Sequence, residues 1–221
     1  MVITNRVIIS SNIIQLFQNR NYEKYVLDIM NISQHIFPEE YDIVEKQAHG
    51  ECDFLGKSSN KKYDTKIPFE EKQIKLLTSG KRHGPQILEW IKQLQDEGAD
   101  YNPLELRDNP SYDIANTRLY KVMKTLIERD KKDENIVFFL PYPMVLSIES
   151  SIFLQFCGDF LRAIYDRMIR DIDLSEREIF IIYPSSEKNK FVLRNLGNWR
   201  IEYIYYEKME EYFTYEVVNI K

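Results

Sequence analysis

The chain has 221 residues, 43% of them hydrophobic and 29% charged, with a formal net charge of −5. Those proportions suit an ordinary globular protein with one large domain and a real core. The acidic balance gives the chain as a whole no nucleic-acid signature. No stretch approaches the ~20 apolar residues of a membrane span. MVITNRVIISSN has no basic segment followed by a small-residue cleavage site, so a cytoplasmic protein without membrane contact is expected. Cys52 and Cys157 are expected to be reduced and packed, and His35, His49 and His83 share no zinc spacing.

In chain order, residues 2–9 suit a strand or the start of a helix, and 12–18 a short helix. Asn21 is placed to cap a longer helix over 22–36, where Tyr22, Tyr25, Val26, Ile29 and Met30 recur at helical spacing. Glu23 falls in its first turn, where a carboxylate suits the helix dipole, and Pro38 closes the segment. Strands are expected over 41–47, 51–57 and 62–69. Helices follow at 70–77, 85–97 and 112–130, with a loop at 99–111. The run NIVFFL at 135–140 reads as a buried strand. A helix over 150–170 leads to a second buried strand at 178–183. A strand pair occupies 188–206, and 212–220 can add a last strand. The order predicts an α/β sandwich around a mixed sheet.

Chemistry concentrates in ECDFLGKSSNKKYDTKIPF, residues 51–69. Strand alternation puts Asp64 and Lys66 on one face and Thr65 on the other. If the strand bearing Asp53 pairs with the strand bearing Asp64, two carboxylates and an ammonium share one patch. Carboxylate oxygens are what Mg²⁺ prefers, and such a patch suits metal-assisted phosphodiester hydrolysis. Residues 57–83 hold eight basic residues (Lys57, Lys61, Lys62, Lys66, Lys72, Lys75, Lys81 and Arg82) against three acids, Asp64, Glu70 and Glu71. A local basic stretch around an acidic site is what a phosphate-backbone reader needs. Lys57, Lys62, Lys81 and Arg82 are its candidate nucleic-acid contacts. Two other D/E-x-K matches, Glu70-Glu71-Lys72 and Asp130-Lys131-Lys132, lie in expected helices with no acid-bearing strand before them. Glu51 is a candidate accessory ligand. The tyrosines at 203, 205 and 206 could stack on bases, but alternating strand aromatics are more often core.

A helix with an early Glu, then strands bearing Asp and (D/E)-x-K, resembles the restriction-endonuclease-like superfamily of PD-(D/E)xK nucleases. Here the pieces are YEKYV with Glu23, Asp53 in ECDFLG, and Asp64-Thr65-Lys66 in KYDTKIPF, over about residues 20–70. Cys52 stands where the motif usually has proline. The resemblance implies an αβββαβ core at about 20–140, a mixed central sheet flanked by helices, and an α/β elaboration at 141–221 within a single domain. It also implies hydrolysis of nucleic-acid phosphodiesters, with DNA the expected substrate. By position, Asp53, Asp64 and the Thr65 carbonyl would hold Mg²⁺ or Mn²⁺. Lys66 would position the attacking water, and Glu23 would assist. The alternative is a catalytically inactive protein of the same fold acting as a regulatory or interaction module. A second copy or another protein remains open as a partner.

Overall fold

The computed structural model describes residues 6–10, 21–44, 51–68, 114–130, 134–140, 150–184, 190–207 and 215–219. The expected helices at 12–18, 70–77 and 85–97 and the loop at 99–111 lie outside the described residues, as do Lys81 and Arg82. The described elements are β1 (Arg6–Ser10), α1 (Asn21–Ile32), β2 (Tyr41–Ile43), β3 (Phe54–Gly56), β4 (Lys62–Lys66), a 3₁₀ turn (Ile114–Asn116), α2 (Arg118–Arg129), β5 (Asn135–Phe139), α3 (Ser150–Asp171), β6 (Ile179–Pro184), β7 (Lys190–Asn195), β8 (Ile201–Tyr205) and β9 (Tyr215–Asn219).

Seven strands form one mixed sheet in sequence order from β2 to β8. The outer pairs β2/β3, β3/β4, β6/β7 and β7/β8 are antiparallel, while β4/β5 and β5/β6 are parallel. Parallel neighbours need long crossovers, and the chain segments carrying α2 and α3 make these two connections. The ambiguous segment at 2–9 contains strand β1. It pairs antiparallel with β9 in a separate two-stranded sheet, so the last strand does not join the main one.

The central strands are buried on both faces, and their alternating side chains define two cores. Val137, Phe139, Phe180 and Ile182 pack with Tyr25, Val26, Ile29 and Met30 of α1 and with Tyr63 of β4. Ile136, Phe138, Ile179 and Ile181 pack with Met123 and Ile127 of α2 and with Leu161, Ile164 and Met168 of α3. The helices therefore cover opposite faces of the sheet, and a strand residue's parity decides which helix it meets.

Several expected elements are shorter than their sequence patterns suggest; the strand expected at 51–57 is β3, Phe54–Gly56, and that expected at 62–69 is β4, Lys62–Lys66. α1 stops at Ile32 and not near residue 36, because the Ser33 amide closes the helix onto the Ile29 and Met30 carbonyls. The long helix expected at 112–130 is a 3₁₀ turn and then α2. Thr117, extended at φ −65° and ψ 146°, interrupts it and takes the Tyr120 amide on its hydroxyl. β2 ends at Ile43, and Asn31 ties it to α1: its side-chain amide donates to the Tyr41 carbonyl at 3.1 Å and its oxygen accepts the Tyr41 amide at 2.9 Å. Of the terminal aromatic run, Ile204 and Tyr206 are core, whereas Tyr203 and Tyr205 are about half exposed.

Candidate active site

The hairpin of β3 and β4 carries the site. Its turn is held by Glu39, whose carboxylate accepts the Ser58 amide at 2.7 Å and the Ser59 amide at 2.9 Å. That carboxylate lies so close to Gly56 that a Cβ there would sit 2.6 Å from Oε1, so a larger residue would push the Glu39 carboxylate off the turn. Asn60 completes the turn in the left-handed region at φ 55°. The resulting register sets Phe54 opposite Tyr63, which brings Asp53 beside Asp64. Main-chain bonds extend past the ladder: the Asp53 amide donates to the Tyr63 carbonyl and the Val44 amide to the Asp53 carbonyl, both at 3.0 Å.

At Asp53 a side chain takes over from the ladder. The Thr65 amide donates to Asp53 Oδ2 at 2.8 Å. A strand residue's N–H and C=O lie on the same edge, so the Thr65 carbonyl also looks toward the Asp53 side of β4. The Asp53 and Asp64 carboxyls lie close enough to share a proton, and both are buried, at 4% and 9% exposure. Burial first, then the bond to Asp64 and its charge, push the Asp53 carboxyl up to about 8. The Thr65 amide pulls it back, and the charge of Glu23 adds a further upward push. These influences together favour the neutral form of Asp53.

Lys66 lies on the same face of β4 as Asp64, over the floor made by Ile136 and Phe138. Its ammonium is 2.5 Å from Asp64 Oδ2 and 3.1 Å from Asp130 Oδ1. Burial alone would lower its pKa, but the bonds and charges of the two acids outweigh that and hold it above the ordinary lysine value. Lys66 is therefore a fixed cation and not a free base.

Asp130 is the residue that motif reading missed. Asp130-Lys131-Lys132 looks like a stray match to the D/E-x-K pattern, yet its acid meets the lysine of Asp64-Thr65-Lys66. Asp130 is the C-cap of α2. A carboxylate at a helix C-terminus opposes the dipole, and that oddity is the signal in the sequence that a cation must approach it. Arg177 fixes the same corner, donating to the Ile127 and Asp130 carbonyls at 2.8 Å each. Burial raises the Asp130 pKa, while Lys66 pulls it back down.

The other expected site residues divide. Glu23 is buried at 3% exposure on α1, which packs on the sheet face opposite to Asp64 and Lys66, and it reaches the pair by its charge on Asp53. Lys62 is exposed at the start of β4, with the same parity as Asp64 and Lys66. Lys57 sits at the far end of the hairpin and is ion-paired with Glu40 at 2.8 Å and Asp42 at 3.5 Å. Glu51 is exposed beside the site, and Cys52 is a buried free thiol whose pKa burial raises. A cavity of about 500 Å³ opens at the other end of the strands, lined by Lys61, Lys62, Asn135, Arg177 and Glu178 but not by Asp53, Asp64 or Lys66.

Compared with known proteins, the chain matches no family model, no curated protein and no solved structure. Among the described residues no helix is long and apolar enough to cross a membrane.

Proposed function

We propose that this chain is a metal-dependent nuclease of restriction-endonuclease-like type, hydrolysing phosphodiester bonds of DNA. One observation carries the reading: Asp53, just before β3, meets Asp64 on the neighbouring strand β4, with Lys66 two residues along that strand. Two further features support it. The order α1, β2, β3, β4, α2, β5 is the one the resemblance implies. Burial, and then the neighbouring Asp64, hold the Asp53 carboxyl toward its neutral form, and a divalent cation would offset that by favouring its charged form.

Among the described residues no three His, Cys, Asp or Glu side chains form a metal-binding group. Mg²⁺ needs fewer, since it usually binds through one or two carboxylates, its own waters and substrate phosphates. Asp53, Asp64 and the Thr65 carbonyl are the groups that would hold Mg²⁺ or Mn²⁺. When bound, the cation supplies Lewis-acid stabilisation of the charge that develops on the phosphoryl oxygens. The chain's own residues do the rest. The Thr65 amide fixes Asp53. The Lys66 ammonium orients the attacking water and offsets phosphate charge. Glu23 tunes the proton affinity of Asp53 from the other face.

The test is a Mg²⁺ and Mn²⁺ titration against plasmid and single-stranded DNA, comparing wild type with Asp64→Ala. Metal-dependent cleavage that Asp64→Ala abolishes is the expected result. DNA binding with no cleavage at any metal concentration would favour the inactive interaction module, and cleavage surviving in Asp64→Ala would move the active site elsewhere.

A further inference from the structure

Lys66 Nζ sits between two carboxylates, 2.5 Å from Asp64 Oδ2 and 3.1 Å from Asp130 Oδ1. An ammonium and a divalent cation cannot comfortably share one carboxylate oxygen, because their charges repel and they compete for the same lone pairs. A cation arriving at Asp64 Oδ2 therefore has to displace Lys66 from that oxygen, and the Lys66 side chain, 22% exposed, has few other places to put its ammonium.

Asp130 is built to receive it. Its side chain is 10% exposed, and its second oxygen, Oδ2, is buried with no hydrogen-bond partner. An unused buried acceptor is costly, and a carboxylate has room for about four donated bonds. The residue is also held in place. Its amide bonds the Ile127 carbonyl at 3.3 Å, and Arg177 clamps its carbonyl. As the C-cap of α2 it faces the negative end of the helix, which rewards a closer cation.

We infer that Asp130 is the positioning residue for Lys66, taking over its ammonium when a divalent cation takes Asp64. The inference rests on the metal-dependent reading above. It makes Asp130 act only through Lys66 and not as a ligand.

The experiment is calorimetric titration of the full chain with MnCl₂, for wild type, Asp130→Asn, Lys66→Met and the double variant, each checked for folding by circular dichroism. In Asp130→Asn the ammonium stays on Asp64, and Mn²⁺ binding weakens by about 10-fold, the scale of an outer-shell partner. Lys66→Met removes the competing ammonium and binds Mn²⁺ more tightly than wild type. The double variant binds like Lys66→Met, because Asp130 has lost the group it acts through. Weakening by Asp130→Asn that persists in the Lys66→Met background would make Asp130 a direct ligand and overturn the inference alone, as would an Asp130→Asn protein of wild-type affinity. If Asp130→Asn does not fold, Lys66→Met still decides, since unchanged Mn²⁺ affinity there removes the competition. A wild-type chain that binds no Mn²⁺ overturns the metal reading and this inference with it.

Discussion

The Thr65 amide donates to Asp53 Oδ2 at 2.8 Å, so the side chain of the residue just before β3 completes the main-chain bonding of β4. This bond holds Asp53 against Asp64, and it favours the charged form of Asp53. Burial and the neighbouring acid together outweigh it.

The pair makes stability depend on pH. The folded pKa of Asp53, about 8, lies above its ordinary value of 3.8. The folded state thus holds a proton that the unfolded state releases between those values. Its contribution to stability is complete below pH 4 and is lost as pH rises toward 8. Asp53→Asn keeps the shape and an acceptor for the Thr65 amide but does not titrate. In EDTA its melting temperature should exceed that of wild type by a margin that widens from pH 4 to pH 8. At pH 8 the gap should reach at least about 2 °C, the shift that ~1 kcal/mol produces in a chain of this size. Parallel melting curves across the range, read by circular dichroism, would show that Asp53 is ionised throughout.

Two of the hairpin lysines, Lys57 and Lys62, should separate in nucleic-acid binding. Lys57 sits at the far end of the hairpin from Asp64, beside Glu40 and Asp42. Lys62 stands on β4 with the parity of Asp64 and Lys66. Lys62→Ala should weaken binding to labelled DNA and reduce the salt slope by about 1, as for loss of one phosphate contact. Lys57→Ala should leave both unchanged. Equal losses in the two variants, read by fluorescence anisotropy at several salt concentrations, would remove the distinction.

The legible parts of the sequence were those governed by short-range pattern. The strand at 135–140, the helix ending near Arg170 and the antiparallel pair at 188–206 follow from apolar runs and caps, and the structure has all three. The pairing of Asp53 with Asp64 follows from a turn five residues long. Asp130 was not legible, because its meeting with Lys66 depends on where a crossover helix ends, and periodicity says nothing of that. The same limit applies to Glu23: its helix was legible, but not the sheet face on which it packs. Tyr203 and Tyr205 are exposed because β8 closes the described sheet, and edge position is a property of strand order and not of local pattern.

Glu23 separates two roles by experiment. A first-turn carboxylate favours its helix by ~0.3–1 kcal/mol at an exposed site, but this one is buried and acts on Asp53. Glu23→Gln keeps the volume and removes the charge. Under the proposed function, the melting temperature moves little, turnover falls, and the pH at which activity rises shifts downward, because Asp53 loses one of the charges that hold its proton. Plasmid cleavage across pH beside thermal melting reads all three. A large fall in melting temperature with turnover intact would return Glu23 to a packing role.

Lys66→Met makes the sharpest demand on the site. The substitution keeps the length of the stem and removes the ammonium from between Asp64 and Asp130. Removing it leaves two buried acids without their cation, so the fold is best compared in Mn²⁺, where a divalent charge replaces what was lost. The held ammonium is charged and cannot act as the base, so its catalytic value lies in orienting water and meeting the charge of the transition state. A contact made only there lowers kcat and spares ground-state binding. Turnover should fall by about 10²-fold or more, the usual cost of one preorganised donor, while DNA affinity stays within a small factor of wild type. A Lys66→Met protein that cleaves DNA at the wild-type rate would show that Asp53, Asp64 and Lys66 meet for structural reasons, and that any chemistry of this chain happens elsewhere.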